Sequence, residues 1–277
     1  MSTLCRKDST NQNKDKIIQK VNPRNVGLFL KNLYLCAHNK LAYKVIMKIG
    51  IITALSMEKE QIVGLLEEKQ EIQEGNYDYV VGSLNGNELV IMESGIGKVN
   101  AAIGTLEMIK THNPDCIIST GVAGGIDPEL SVMDVVVSKN IVYHDVYCGE
   151  GNAFGQVQGL PLYFKGNETL YECALELDTE TNILGGLICT GDKFITDPGT
   201  LYNIKEDWPN GLAVDMESAA IAQTCFLYDI PFLSFRIISD TPGVDQHWEQ
   251  YSNFWETMAQ RSFGVTKTFL ESLPNSL

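Results

Sequence analysis

At 277 residues with 44% apolar content, the chain can bury one large hydrophobic core or two small ones. A net charge of −14 argues against a nucleic-acid backbone or an anionic membrane surface as partner. That charge is unevenly placed: residues 1–46 hold nine Lys/Arg against two Asp/Glu, and residues 47–277 hold twelve against thirty-three.

The first 46 residues open polar and rich in Lys, Asn and Gln, with little to bury, and read as a disordered basic extension. The other reading is that Met47 is the natural start and residues 1–46 are upstream sequence. Val26 to Ala37 imitates the apolar core of a signal peptide, but Lys31 interrupts it and the residues ahead of it are mostly polar. No run reaches the roughly 18 uninterrupted apolar residues of a membrane span.

From Met47 onward, strand-like runs alternate with helical patterns. Lys48 to Thr53, KIGIIT, is dense in β-branched residues like a buried parallel strand, and Met57 to Lys69 has the apolar spacing of a helix. Tyr77 to Leu84 and Glu88 to Glu93 flank Asn85-Gly86, which favours a type I′ hairpin. Antiparallel strands therefore join an otherwise parallel sheet. Val99 to Ile109 reads as a helix, Cys116 to Thr120 as a strand entering a glycine loop, and Asp134 to Ser138 and Ile183 to Cys189 as strands. Asp215 to Tyr228 is expected as a helix, Phe232 to Ile238 as the next strand, and Trp248 to Leu273 as a long closing helix. The class is α/β, and residues 47–277 form one domain.

The stretch AVDMESAAIA, residues 213–222, organises the candidate chemistry. Asp215 and Glu217 are expected in the first helical turn, where unpaired N–H groups favour negative charge. Residues two apart on a helix point about 200° apart. One of the two is thus a ligand candidate, for a sugar diol for instance, and the other a cap.

Ligands of open α/β sheets bind beyond the carboxyl ends of the strands. Those ends here carry Glu58, the glycines of GVAGG (121–125), Phe194 and Ile195, Asp215-Met216-Glu217, and Ser239-Asp240. Separated carboxylates around one cleft are what glycosidic hydrolysis needs, one protonating the leaving group and one activating water. Glu58 alone would pass for an exposed helix glutamate and Phe194 for a core residue. Asp240, ending an apolar strand, is harder to explain without a role. His144-Asp145 fits an acid/base pair or a structural contact, and His247, Trp248 and Tyr251 fit a pocket wall or simple packing.

Ser94-Gly-Ile-Gly-Lys98 is neither a dinucleotide fingerprint, since Asn100 replaces its last glycine, nor a P-loop, since Val99 follows Gly97-Lys98. Seven cysteines without a C-x-x-C pair suggest a reducing compartment, hence the cytoplasm. Four scattered histidines give no zinc spacing, so no metal or organic cofactor is expected.

From Met47 on, the chain resembles the 5′-methylthioadenosine/S-adenosylhomocysteine nucleosidases of the nucleoside phosphorylase superfamily. The residues that carry the likeness are MKIGIITAL…E (47–58), SGIGKVNAA (94–102), STGVAGG (119–125), YHD (143–145), GDKFI (191–195), AVDMESAAIA (213–222) and RIISD (236–240). The resemblance implies a three-layer α/β/α fold around a central mixed, mostly parallel twisted sheet. It implies hydrolysis of 5′-substituted adenosines such as methylthioadenosine, S-adenosylhomocysteine or 5′-deoxyadenosine, with adenine as a product. Asp240 would then protonate adenine N7, and Glu58 would hold and deprotonate the attacking water. Glu217 would accept from the ribose hydroxyls, Met216 would pack on the sugar, Phe194 would stack on the base and Ile195 would offer backbone groups to its edge. Ser239 would support Asp240, Ile96 would pack near the sugar tail, and Gly124 would let backbone approach the substrate. A homodimer whose partner completes the 5′ pocket is also implied.

Two other readings remain. A phosphorylase would need arginine clamps for its anion, yet residues 47–277 contain only Arg236 and Arg261. A nucleoside sensor would need no proton donor and water base together. Three features depart from the family pattern: Val122 where serine is usual, Asp215 where glutamate is usual, and a longer stretch at 146–153.

Overall fold

The computed structural model describes residues 47–242, 244 and 246–277, with backbone alone at 257–263. The basic extension expected at 1–46 lies outside the described residues. Ten strands form one sheet: β1 Lys48–Thr53, β2 Glu67–Glu74, β3 Tyr77–Leu84, β4 Asn87–Glu93, β5 Cys116–Gly125, β6 Val135–Tyr143, β7 Phe164–Lys165, β8 Ile183–Thr190, β9 Gly211–Asp215 and β10 Phe232–Asp240. Around it lie α1 Ser56–Val63, α2 Lys98–His112, α3 Glu168–Leu175, α4 Pro198–Asp207, α5 Ser218–Tyr228, α6 His247–Asn253 and α7 Ala259–Ser272, with a π-helical turn, Phe254–Met258, between the last two.

The sheet is mixed, as expected. β1 runs parallel to β4 and β5, and β5 to β10; the β2–β3–β4 meander is antiparallel. The sheet also curls on itself. β5 pairs with β10 through most of its length and with β9 at Gly124 and Gly125, and β6 and β8 complete a ring between β10 and β9. Glycine makes the closure possible: a Cβ on Gly124 would lie 2.5 Å from Pro242, and one on Gly125 would lie 2.9 Å from Ile238. One apolar cluster joins Ile51, Ile118 and Phe235 to Phe254 and Phe269. A second joins Ile52, Val90 and Ile117 to Met108 of α2 and Ala219 to Ala222 of α5. These clusters are the interlayer cores of the three-layer arrangement. The small residues of α5 are all buried, so its backbone lies close on the sheet.

Several boundaries differ from the sequence expectations. The helix expected over Met57 to Lys69 ends at Val63, and Glu67–Glu74 becomes the edge strand β2. Its sequence, EEKQEIQE, has almost no apolar signal; pairing with β3 specifies it, and its charges protect an exposed edge. Cys116–Gly125 continues as strand through the expected glycine loop. The closing helix is divided by the π-helical turn. Asp215 ends β9 rather than starting a helix, and Glu217 is the N-cap residue of α5. The two side chains are therefore not set about 200° apart by a helix, as the sequence suggests they would be.

Candidate active site

One cleft opens where β1, β5, β9 and β10 end. Its wall includes both expected catalytic carboxyls, Glu58 and Asp240, together with Glu217 and Met216. Phe194, Ile195, Ile96, Ser239 and Gly124 line the same space. Chain segments as distant as 58 and 240 thus meet at one place.

Glu58 is in the first turn of α1 yet only 1% exposed. Its Oε2 accepts the N–H groups of Ala54 and Leu55 at 2.9 and 3.0 Å, and its Oε1 accepts that of Val122 at 3.0 Å. Burial raises its pKa, and Arg236 and the backbone donors offset part of that rise. Gly121 allows the approach: its φ is +155°, and a Cβ there would come within 2.4 Å of Glu58 Oε1.

Arg236 is the main site residue whose role the sequence reading missed. It is fully buried in the middle of β10, and its Nη2 lies 2.9 Å from Asp215 Oδ2 and 3.7 Å from Glu217 Oε2. Nη2 also donates to Ser119 Oγ at 3.0 Å and Ser218 Oγ at 3.2 Å. An arginine inside the apolar run FLSFRII was the available signal, because such a charge must be paired when buried.

Asp215 and Glu217 have separate tasks around this cation. Asp215 accepts from Thr190 Oγ1 at 2.6 Å and from the Ser218 hydroxyl and N–H, tying β8 and α5 together. Glu217 accepts the Gly97 N–H at 2.9 Å. Burial and the neighbouring Asp215 and Glu58 charges raise its carboxyl pKa to about 7, against the opposing pull of Arg236.

Asp240 ends β10 at a register shift opposite β5, between Ile238 and Asp240, where the extra residue re-aims the side chain. It is 2% exposed, and Ser239 Oγ donates to its Oδ1 at 2.7 Å. Burial raises its pKa, while the Ser239 hydroxyl and His247 act the other way. An aromatic group lies at this side: the Phe194 ring centroid is 5.5 Å from Tyr251 and 5.6 Å from Trp248, both nearly edge-on. Tyr251 lines the cleft as well.

Asp145 pairs with Lys98 at 2.8 Å, so it does not act with His144 as an isolated pair. Among the described residues no group of His, Cys, Asp or Glu has the arrangement of a metal site.

Residues 48–271 match the family model of the phosphorylase superfamily. A 5′-methylthioadenosine/S-adenosylhomocysteine nucleosidase of Geobacillus thermodenitrificans is 40% identical over 228 residues, which is 81% of this chain and 96% of that one. The chain belongs to this nucleosidase family of the phosphorylase superfamily. The nucleosidase structure from Colwellia psychrerythraea, in complex with adenine, is similar with a TM-score of 0.79 at 34% identity, covering 84% of this chain and 98% of that one. That of Streptococcus pneumoniae, with the transition-state inhibitor MT-ImmA, has a TM-score of 0.78 at 35% identity, covering 82% and 100%. Family membership accounts for why the motif residues, far apart in the chain, converge on one cleft.

Proposed function

We propose that the cleft hydrolyses the N-glycosidic bond of 5′-substituted adenosines, releasing adenine and the thioribose. The observation that carries this reading is the pairing of a buried carboxyl of raised pKa, Asp240, with a second buried carboxyl, Glu58, in one cleft. Asp240, protonated, gives its proton to N7 of the base as the bond to C1′ breaks. The leaving electrons are then held on a neutral adenine. Glu58 takes a proton from the water that attacks C1′, and Glu217 accepts from the ribose hydroxyls while charge grows on the sugar. Phe194 stacks on the base, Ile195 meets its edge, Met216 and Ile96 cover the sugar side, and the glycine backbone at 124 lets the ligand approach.

Water is favoured over phosphate because no free cation faces the cleft among the described residues. Arg236 is engaged by Asp215, Ser119 and Ser218. Lys193, the lysine on the wall, has its Nζ on Thr200 Oγ1 at 2.8 Å and Asp197 at 3.4 Å. Adenine release from 5′-methylthioadenosine by the full chain, with and without phosphate, tests the reading. Release without phosphate and with a free reducing sugar supports it; an absolute need for phosphate overturns it. Residues 47–277 run in parallel test whether that domain is sufficient.

The chain is further read as a cytoplasmic homodimer. Ile96, Val99 and Ile103 are exposed beside the cleft, Val99 to 68%, and the last two are four residues apart on α2. A second copy covering them would close the side of the cleft next to Ile96. Sedimentation at twice the monomer mass is the expected result, and a monomer would remove this part. No helix among the described residues is long and apolar enough to cross a membrane.

A further inference from the structure

The motif Ser94 to Lys98 has a use that neither a phosphate loop nor direct ligand contact supplies. Lys98 opens α2, and its Nζ lies 2.8 Å from both carboxylate oxygens of Asp145, after β6, and 3.9 Å from Asp192 Oδ2, after β8. Two backbone donors complete a closed circuit. Lys98 N–H donates to Asp192 Oδ1 at 2.7 Å, and Asp192 N–H donates to Asp145 Oδ2 at 2.8 Å. Gly97 at φ +92° permits the contact, since a Cβ there would lie 3.1 Å from Asp192 Oδ1.

None of these three charged residues lines the cleft, but both neighbours of the circuit do. On one side, Gly97 N–H holds Glu217 Oε1. On the other, Asp192 is two residues from Phe194 and three from Ile195. The side chains are a fifth to a half exposed, and ion pairs so exposed add little to stability. Their bidentate and backbone-directed geometry instead fixes where three loops stand relative to one another.

We infer that Lys98, Asp145 and Asp192 form a clasp outside the cleft that sets the position of Phe194 and Ile195 relative to Glu217, and are therefore positioning residues for nucleoside binding. This rests on the nucleosidase reading above. The clasp acts on both halves of a nucleoside at once: loosening it releases the wall expected to hold the base from the carboxylate expected to hold the sugar. It touches neither Asp240 nor Glu58, so it alters binding without altering the groups that titrate in the reaction.

The test uses the full chain carrying Asp192→Ala, Asp145→Ala or Asp192→Asn. Hydrogen exchange of segments 95–98 and 191–195 is measured without ligand, and KM and the pH profile of kcat are measured with 5′-methylthioadenosine. Both alanine variants are expected to exchange faster in both segments and to raise KM at least tenfold, with unchanged pH limbs. Asp192→Asn keeps the acceptor for the Lys98 N–H and is expected to recover most of the KM. Wild-type exchange, or a loss of active protein with unchanged KM, in the alanine variants overturns the clasp. A wild-type chain that turns over no nucleoside overturns the nucleosidase reading instead, and the exchange data still decide whether the circuit joins the two loops.

Discussion

On the Arg236 side of the cleft, two carboxylates share one guanidinium that also donates to two serine hydroxyls; on the Asp240 side, the carboxyl has a single hydroxyl partner and an aromatic neighbourhood. Both sides are built from the same strand, four residues apart. The difference teaches how one sheet can hold a guanidinium-centred cluster of carboxyls and a separate acid side by side. A buried guanidinium is tolerated where carboxyls and hydrogen bonds surround it, and burial raises the carboxyl pKa on both sides, that of Glu217 to about 7 even beside Arg236. Function is expected to be more sensitive on the second side, and stability on the first.

The largest effect should come from breaking the charged side. Arg236→Met leaves Asp215 and Glu217 buried without their cation and should cost about 3–5 kcal/mol in denaturant unfolding. A loss below about 1 kcal/mol would show that the cluster is not the structural centre described above. Next come the reacting groups: Asp240→Asn and Glu58→Gln should each reduce kcat by ~10² or more, with the circular dichroism of a folded chain retained. Near-normal turnover by either variant would remove that residue from the mechanism.

A pH experiment sharpens the contrast. Glu217 has a folded pKa raised from 4.5 to about 7, so it binds its proton more tightly folded than unfolded. The associated stability is full below about pH 4.5 and is lost as pH rises through about 7. The wild type should therefore lose stability relative to Glu217→Gln between about pH 4.5 and 7 in urea melts; a relative gain over that range would reverse the assigned shift. The smallest effect is expected from Ser239→Ala, which removes the hydroxyl that lowers the Asp240 pKa. The loss should be about 0.5–1.5 kcal/mol in transition-state stabilisation. The alkaline limb of kcat/KM should also move upward, because Asp240 would hold its proton longer; a downward move would contradict the role given to Ser239.

Much of this was legible in the chain. KIGIIT, FLSFRIISD and the Asn85-Gly86 hairpin announce strands because apolar density, β-branching and turn chemistry are local properties. Acids and glycines at the strand ends could be marked as cleft residues, and all nine expected site residues do line one cleft. Less visible was β2, whose charged sequence becomes a strand only because β3 offers it a partner. Glu58 looked like a surface glutamate, since its burial depends on backbone donors at 54, 55 and 122. The place of Asp215 at the end of a strand was also hidden, since a helix start and a strand end share their small and acidic residues.

By itself, then, the sequence determined the α/β class, the order of most elements, the family and the set of polar residues that must find partners or a ligand. Those follow from local propensity, periodicity and motif spacing. Only the tertiary structure decided that β5 closes onto β9 and β10, that Arg236 gathers Asp215 and Glu217, and that a bulge turns Asp240 into the cleft. The physical reason is that burial, pairing and pKa depend on neighbours about twenty to more than a hundred residues away in the chain, and packing brings them together.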